Sequence, residues 1–268
     1  MSHRRKIMIK IITSRAGYGK TSSLYKEILE KDKNAEIAYL MVPEQLTLQS
    51  ELALIDKVDS KGLICAQVMS FERLSRLVLS RVGGLKRPYI DEIGKHMALR
   101  LIFDKHEDSL PMYKTAYKKE GFLSELSHTL SELKKMAVPP SLLLDKSNQI
   151  ENNALLKQKL FEIGFIYNEF LNYMQDQYID NEDRISLLAE KINLYKEISN
   201  ASFYFDSFTG FTALELSVIE QLAQMGTSLC FALTYDETSA DKDVFSPTSL
   251  TINQLKAIAK ATGSEFEI

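Results

Sequence analysis

Tryptophan is absent from these 268 residues, cysteine occurs twice and histidine four times. Without Trp, any stacking on a nucleobase must use Phe, Tyr or Arg. The cysteines, Cys65 and Cys230, lie far apart in apolar, strand-like runs, no CxxC pair exists and the histidines do not cluster. That pattern argues for two buried thiols in a reducing compartment and against a disulfide framework or a structural metal site. No apolar run approaches the roughly 20 residues that cross a bilayer. The first apolar stretch, Ile7–Ile12, is too short for a signal-peptide core and contains Lys10. A cytoplasmic protein without a membrane segment is therefore expected. Internal repeats and low-complexity tracts are also missing.

What is present is ordinary in amount and uneven in distribution. The chain is 45% hydrophobic and 26% charged, with a formal charge of -3. Residues 1–90 carry 16 Lys and Arg against 9 Asp and Glu, a balance of +7. The remainder carries 17 against 27, a balance of -10. A basic first third on an acidic body points to one face for polyanions; scatter over solvated surfaces is the alternative.

Periodicity divides the chain in three. Strand-like runs at Ile7–Ile12, Ile37–Val42 and Leu63–Met69 alternate with helix-like stretches at Thr21–Leu29, Pro43–Ile55 and Ser70–Val82. Pro43 suits the first helical position, Ser70 an N-cap, and Gly83-Gly84 a helix end. Short links between alternating elements predict a parallel α/β sheet. From Asp91 to Glu197 only helical spacing is visible, in Ile93–Phe103, Phe122–Met136, Leu155–Met174 and Ile185–Ile192. Pro139-Pro140 and Ser147–Asn153 read as punctuation. Strand signals return at Ala201–Phe205 and Leu229–Thr234 around a helix at Leu214–Met225. Asp236–Ser249 reads as a loop and Leu250–Ala261 as a last helix. The expected organisation is an α/β domain over 1–90, a helical insertion over 91–200 and a return to the α/β domain over 201–268.

Four stretches carry chemistry. Ser14-Arg15-Ala16-Gly17-Tyr18-Gly19-Lys20-Thr21 lies between a strand and a helix, the context a P-loop requires. Gly17 and Gly19 let backbone N–H groups wrap phosphate oxygens. Lys20 neutralises β/γ charge, the Thr21 hydroxyl suits Mg²⁺, and the helix N-terminus adds its dipole. Ser14 stands where the motif begins with glycine. A glycine-rich turn with a chance Lys-Thr is the plainer reading. Phe203-Tyr204-Phe205-Asp206-Ser207 is an apolar strand ending in a carboxylate, suited to Mg²⁺ held with Thr21, or to capping a turn. Ser207 occupies the place of the Glu that orients the attacking water in translocating helicases. Val42–Thr47 and Gln67–Leu74 each follow a strand, where an open α/β sheet binds ligands. Gln45 and Thr47 suit base edges or phosphates, Phe71 suits stacking, and Arg73 a phosphate or base plane. A solvated helix start and a core Phe71 are the alternatives.

In their order along the chain, these stretches resemble the N-terminal region of the AddB/RexB subunits of bacterial ATP-dependent helicase/exonucleases. The resemblance rests on Arg15–Thr21, Val42–Thr47, Ala66–Leu74 with Gly83-Gly84, Asp91–Arg100, Gly121–Lys134, Tyr178–Ile192 and Asp206–Thr212. It implies a RecA-like, superfamily 1 helicase-type P-loop domain with a helical insertion. It also implies a DNA-repair and homologous-recombination role beside an AddA-type motor subunit. There the region acts as a degenerate helicase that scans single-stranded DNA, within a complex that meets double-stranded ends, for a recombination hotspot. Gln45, Thr47, Phe71, Arg73 and Phe211 match the positions used for that reading; Arg76 stands where some members carry an aromatic residue. The family's C-terminal nuclease domain and iron–sulfur cysteines have no counterpart here, so no nuclease activity is expected of this stretch. ATP and Mg²⁺ are the expected cofactors, with little or no hydrolysis. An active P-loop ATPase or helicase domain is the rival expectation, and a docking surface for a partner subunit is a third.

Overall fold

Every strand of the α/β part is flanked by helical connections, and such crossovers force neighbouring strands to run parallel. The computed structural model describes residues 8–58, 62–119, 121–236 and 243–268. Six strands, β1 (Met8–Ser14), β2 (Ala38–Met41), β3 (Ala66–Met69), β4 (Ser202–Phe205), β5 (Ser228–Thr234) and β6 (Glu265–Glu267), form one sheet in the order β3-β2-β4-β5-β1-β6. All pairings are parallel. Ile7, read from the sequence as the first strand residue, lies outside the described residues.

Alternation within the strands explains the two cores of this part. Ile9, Ile11, Tyr39, Met41, Phe203, Phe205, Leu229 and Phe231 point to one face. They pack there with α3 (Phe71–Val82), α9 (Ala213–Gln224) and α10 (Ser246–Thr262). The intervening Leu40, Val68, Tyr204, Cys230 and Ala232 point to the other, against α1 (Lys20–Lys33) and α2 (Thr47–Ile55). β2 and β4 are buried at every position, as expected where helices cover both faces. Cys230 sits in that core, where burial pushes its thiol up to about 12, and Cys65 is half-buried; both are free.

The chain divides into two units, Met1–Gly83 with Ile185–Ile268, and Gly84–Arg184. The second holds α4 (Glu92–His106), α5 (Phe122–Lys135), α6 (Pro140–Gln149), α7 (Ala154–Met174) and the first turn of α8 (Asn181–Lys191). Ala98, Leu99, Ile102, Phe103, Leu126, Leu130, Ile166 and Phe170 form its core. Two buried cations cross it. Lys134 of α5 lies 2.7 Å from Asp180 and 2.8 Å from Asp183, and Lys95 of α4 lies 3.4 Å from Glu182 and 3.7 Å from Asp180. Burial outweighs the lysines at Glu182 and Asp183 and raises both carboxyls, whereas Lys134 and the Asp183 amide hold Asp180 below its ordinary value.

Three expectations need correction. Pro139-Pro140 opens α6 rather than merely breaking the chain, because proline costs nothing at the first helical position. The stretch 236–249 is not all loop: α10 starts at Ser246, with Pro247 in its first turn, while 237–242 lie outside the described residues. β6 is a strand the sequence does not announce; three residues with two glutamates carry no strand signal of their own.

Candidate functional site

A parallel sheet brings all its carboxyl ends to one edge. Here that edge gathers Ser14, Val42, Ser70, Asp206 and Tyr235, the residues that end or follow β1 to β5. The sequence-predicted loop crosses it between β1 and α1. Gly17 and Gly19 adopt φ of 82° and 84°, the left-handed region that glycine enters without strain. Gly19 serves as the N-cap of α1, and Lys20 and Thr21 open its first turn, with Thr21 exposed. Ser14 needs no such freedom: it is extended and in register with Thr234. A serine in the place of the leading glycine therefore leaves the loop's course intact.

The Lys20 ammonium is folded back on the loop. It donates to the Ser14 carbonyl at 2.8 Å, the Arg15 carbonyl at 2.9 Å and the Ser14 hydroxyl at 3.2 Å. Burial lowers its pKa while the Asp206 carboxylate raises it, and burial wins. Asp206 is 5% exposed, directly after β4, and its amide donates to the Met41 carbonyl at 3.0 Å. One strand, β5, separates β4 from the loop's strand β1. Burial raises the Tyr25 hydroxyl, one turn into α1, and the Asp206 charge adds a smaller push in the same direction. The lysine and the carboxylate of the two sequence-predicted phosphate and Mg²⁺ motifs thus lie at the same carboxyl edge, their strands one apart. Ser207 follows Asp206 with φ of 64°, an uncommon conformation for serine, and is exposed. Gly17, Gly19, Lys20, Thr21 and Asp206 fit a Mg²⁺-nucleotide in kind: two open glycines, a cation, a hydroxyl and a carboxylate.

The other predicted residues divide. Gln45 is exposed in the short 3-10 turn Glu44–Leu46. Arg73 is partly exposed in the first turn of α3, where Ser70 caps the helix by accepting from the Arg73 amide at 3.1 Å. Arg73 and Arg76 border a groove of about 550 Å³ along the free edge of β3, lined also by Glu51, Ile55 and Gln67. Thr47, by contrast, is buried and its hydroxyl donates to the Glu44 carbonyl at 2.9 Å. Phe71 and Phe211, 4% and 9% exposed, belong to an aromatic cluster with Phe205, Phe208 and Phe231. The expected exposed stacking platform is corrected accordingly: the parity that buries Phe205 and Phe231 on one sheet face draws both rings in. Phe208, half-buried and 4.8 Å from the Phe211 ring, is the more open member. Sequence reasoning missed it, although the even spacing of Phe205, Phe208 and Phe211 was there to suggest it.

The basic first third, expected to form a face for polyanions, meets carboxylates at this edge. Arg15 pairs with Asp236, Arg76 with Glu72, and Arg73 lies 3.8 Å from both Glu44 and Glu51. Glu44 additionally accepts from the Ser70 hydroxyl. Each of these three edge arginines thus has a carboxylate within 4 Å. No helix among the described residues is long and apolar enough to cross a membrane.

Comparison with known proteins places these features in context. A family model described as "ADDB, N-terminal" matches residues 11–268. Among curated proteins the chain is similar to the B-type subunit of ATP-dependent helicase/deoxyribonucleases. It is 38% identical over 264 residues to the one from Alkaliphilus metalliredigens, and 38% identical over 265 residues to the one from Alkaliphilus oremlandii. The protein of the same name from Bacillus mycoides is 33% identical over 274 residues. Each match covers 97% of this chain and 23% of the relative, so the chain spans under a quarter of the length of the relatives it matches.

Proposed function

The chain belongs to the AddB N-terminal family, and on that premise we propose that it is the RecA-like, degenerate helicase module of a DNA-repair helicase/nuclease. In this reading it holds Mg²⁺-ATP with little or no hydrolysis, and it binds and scans single-stranded DNA beside an AddA-type partner. The observation that carries the proposal is the geometry of one edge: the Gly17–Thr21 loop and Asp206 both lie at the carboxyl end of a parallel sheet, on strands one apart. The edge order, with one strand between the loop strand and the carboxylate strand, suits a RecA-like site. Lys20 would meet the β/γ-phosphates, and Thr21 with Asp206 would hold the Mg²⁺. When bound, that ion would screen the phosphate charge.

Turnover in such sites needs a group that orients water. Exposed Ser207, at the position after Asp206, has no carboxylate to do so. Binding without hydrolysis follows from that substitution.

DNA is assigned to the same edge through Gln45, Arg73 and the open side of Phe208. Buried Thr47, Phe71 and Phe211 act beneath them, fixing the turn and the cluster on which those contacts rest. Fluorescence titration of a labelled oligonucleotide at two salt concentrations tests this. Gln45→Ala with Arg73→Ala is expected to weaken binding by about 10-fold or more, in line with roughly 1–3 kcal/mol for a good polar or stacking contact. Unchanged affinity in the double variant would remove DNA from this edge.

A further inference from the structure

We propose that Ser14 is a positioning residue that holds Lys20 back from the phosphate cradle and thereby sets this loop's affinity for nucleoside di- and triphosphates. The inference rests on the nucleotide-binding reading above. A lysine ammonium has three donors. All three find oxygens of the loop itself: two backbone carbonyls, of Ser14 and Arg15, and the Ser14 hydroxyl. Any residue at position 14 supplies the first carbonyl. The third acceptor is a side-chain oxygen, which neither alanine nor the glycine that the motif ordinarily has there can supply.

The hydroxyl is also oriented for the task. It donates to the Arg15 carbonyl at 3.2 Å, which turns its lone pairs toward the ammonium. Ser14, Arg15 and Lys20 thus close a small ring of hydrogen bonds. The backbone does not require it: Ser14 is extended and paired in register, so alanine and glycine fit the same place. An incoming β- or γ-phosphate must draw Lys20 out of the ring, and the Ser14 hydroxyl loses a donor when it does. The α-phosphate alone makes no such demand, because Lys20 serves the outer phosphates.

Equilibrium titration of the chain with fluorescent ATP, ADP and AMP in Mg²⁺ buffer, using Ser14→Ala, Ser14→Gly, Ser14→Thr and Lys20→Ala, provides the test. Ser14→Ala and Ser14→Gly are expected to tighten ATP and ADP by about 2- to 10-fold, the range covered by one net hydrogen bond. AMP affinity stays unchanged, and Ser14→Thr returns the wild-type values. Unchanged or weaker ATP binding in Ser14→Ala, or an equal gain for AMP, overturns the role of Ser14 while leaving nucleotide binding standing. Absence of saturable binding in every variant, or a Lys20→Ala chain that binds ATP like wild type, overturns the nucleotide reading and this inference with it.

Discussion

Asp32, near the end of α1, shows how much one carboxylate can organise. Its Oδ1 accepts from the amides of Ile64, Cys65 and Ala66 at 2.9, 2.6 and 2.8 Å, and so fixes the entry to β3. Burial alone would raise its carboxyl, but the three amides together hold it below the ordinary 3.8. A depressed folded pKa gives stability that is present above the unfolded value and lost as pH falls through the folded one. Asp32→Ala is therefore expected to cost about 1–3 kcal/mol at neutral pH. The gap to wild type should begin to narrow in urea melts as pH falls past 3.8 and close only below the folded value, and a gap that stays constant throughout would assign the effect to packing instead. Nothing in the sequence marks Asp32, because its partners lie 32 to 34 positions away. Gly17, Gly19 and Lys20 are legible because their chemistry is local: spacing alone puts glycines and a lysine in one turn. Phe71 and Phe211 are not. An aromatic side chain beside a strand end reads alike whether it faces a ligand or the core, and only the face assigned to Phe205 and Phe231 decides.

Among the elements, strong periodicity is enough. β2, β4, β5, α3, α4, α5 and α7 lie where alternation and helical spacing place them, within a few residues. Ser70 as the N-cap of α3 is also readable, since a serine before an apolar-periodic stretch has few other uses. Ser70→Ala is expected to cost about 1 kcal/mol for the cap. It also removes the hydroxyl that donates to Glu44, which a melt combined with Glu44→Gln in a double-mutant cycle will show as non-additivity. The ion network of the helical unit escapes the sequence because its members come from α4, α5 and the start of α8. Replacing Lys95 with methionine leaves Glu182 and Asp180 buried with one cation fewer. A loss of about 3–5 kcal/mol is expected, since breaking a buried pair strands a charge. Thermal melts of the chain measure it, and a neutral outcome would mean that Glu182 simply takes up a proton.

Over the whole molecule, net charge by segment misleads. The +7 of residues 1–90 promises a basic shelf, yet Arg15, Arg73 and Arg76 at the sheet's carboxyl edge each meet carboxylates. Glu44, Glu51 and Glu72 are already in that balance, whereas Asp236 arrives from the other end of the chain, and a count by position shows none of these pairings. With Lys20, these arginines offer at most four phosphate contacts. The slope of log affinity for single strands against log salt should then stay near -3 or shallower, at about -0.7 per phosphate neutralised. Glu44→Gln with Glu51→Gln unpairs Arg73 and is expected to tighten oligonucleotide binding several-fold at low salt. No change there would mean that Arg73 contacts no phosphate.

The proposed function stands on a phosphate cradle that keeps Lys20 and Asp206 and lacks a water-orienting carboxylate. One sample of the chain with Mg²⁺, assayed together for labelled-ATP binding and phosphate release, with and without single-stranded DNA, puts that to the proof. Saturable binding that Lys20→Ala abolishes, with release at background in both conditions, is the predicted outcome. DNA-stimulated phosphate release that Lys20→Ala abolishes would refute it and make this an active motor.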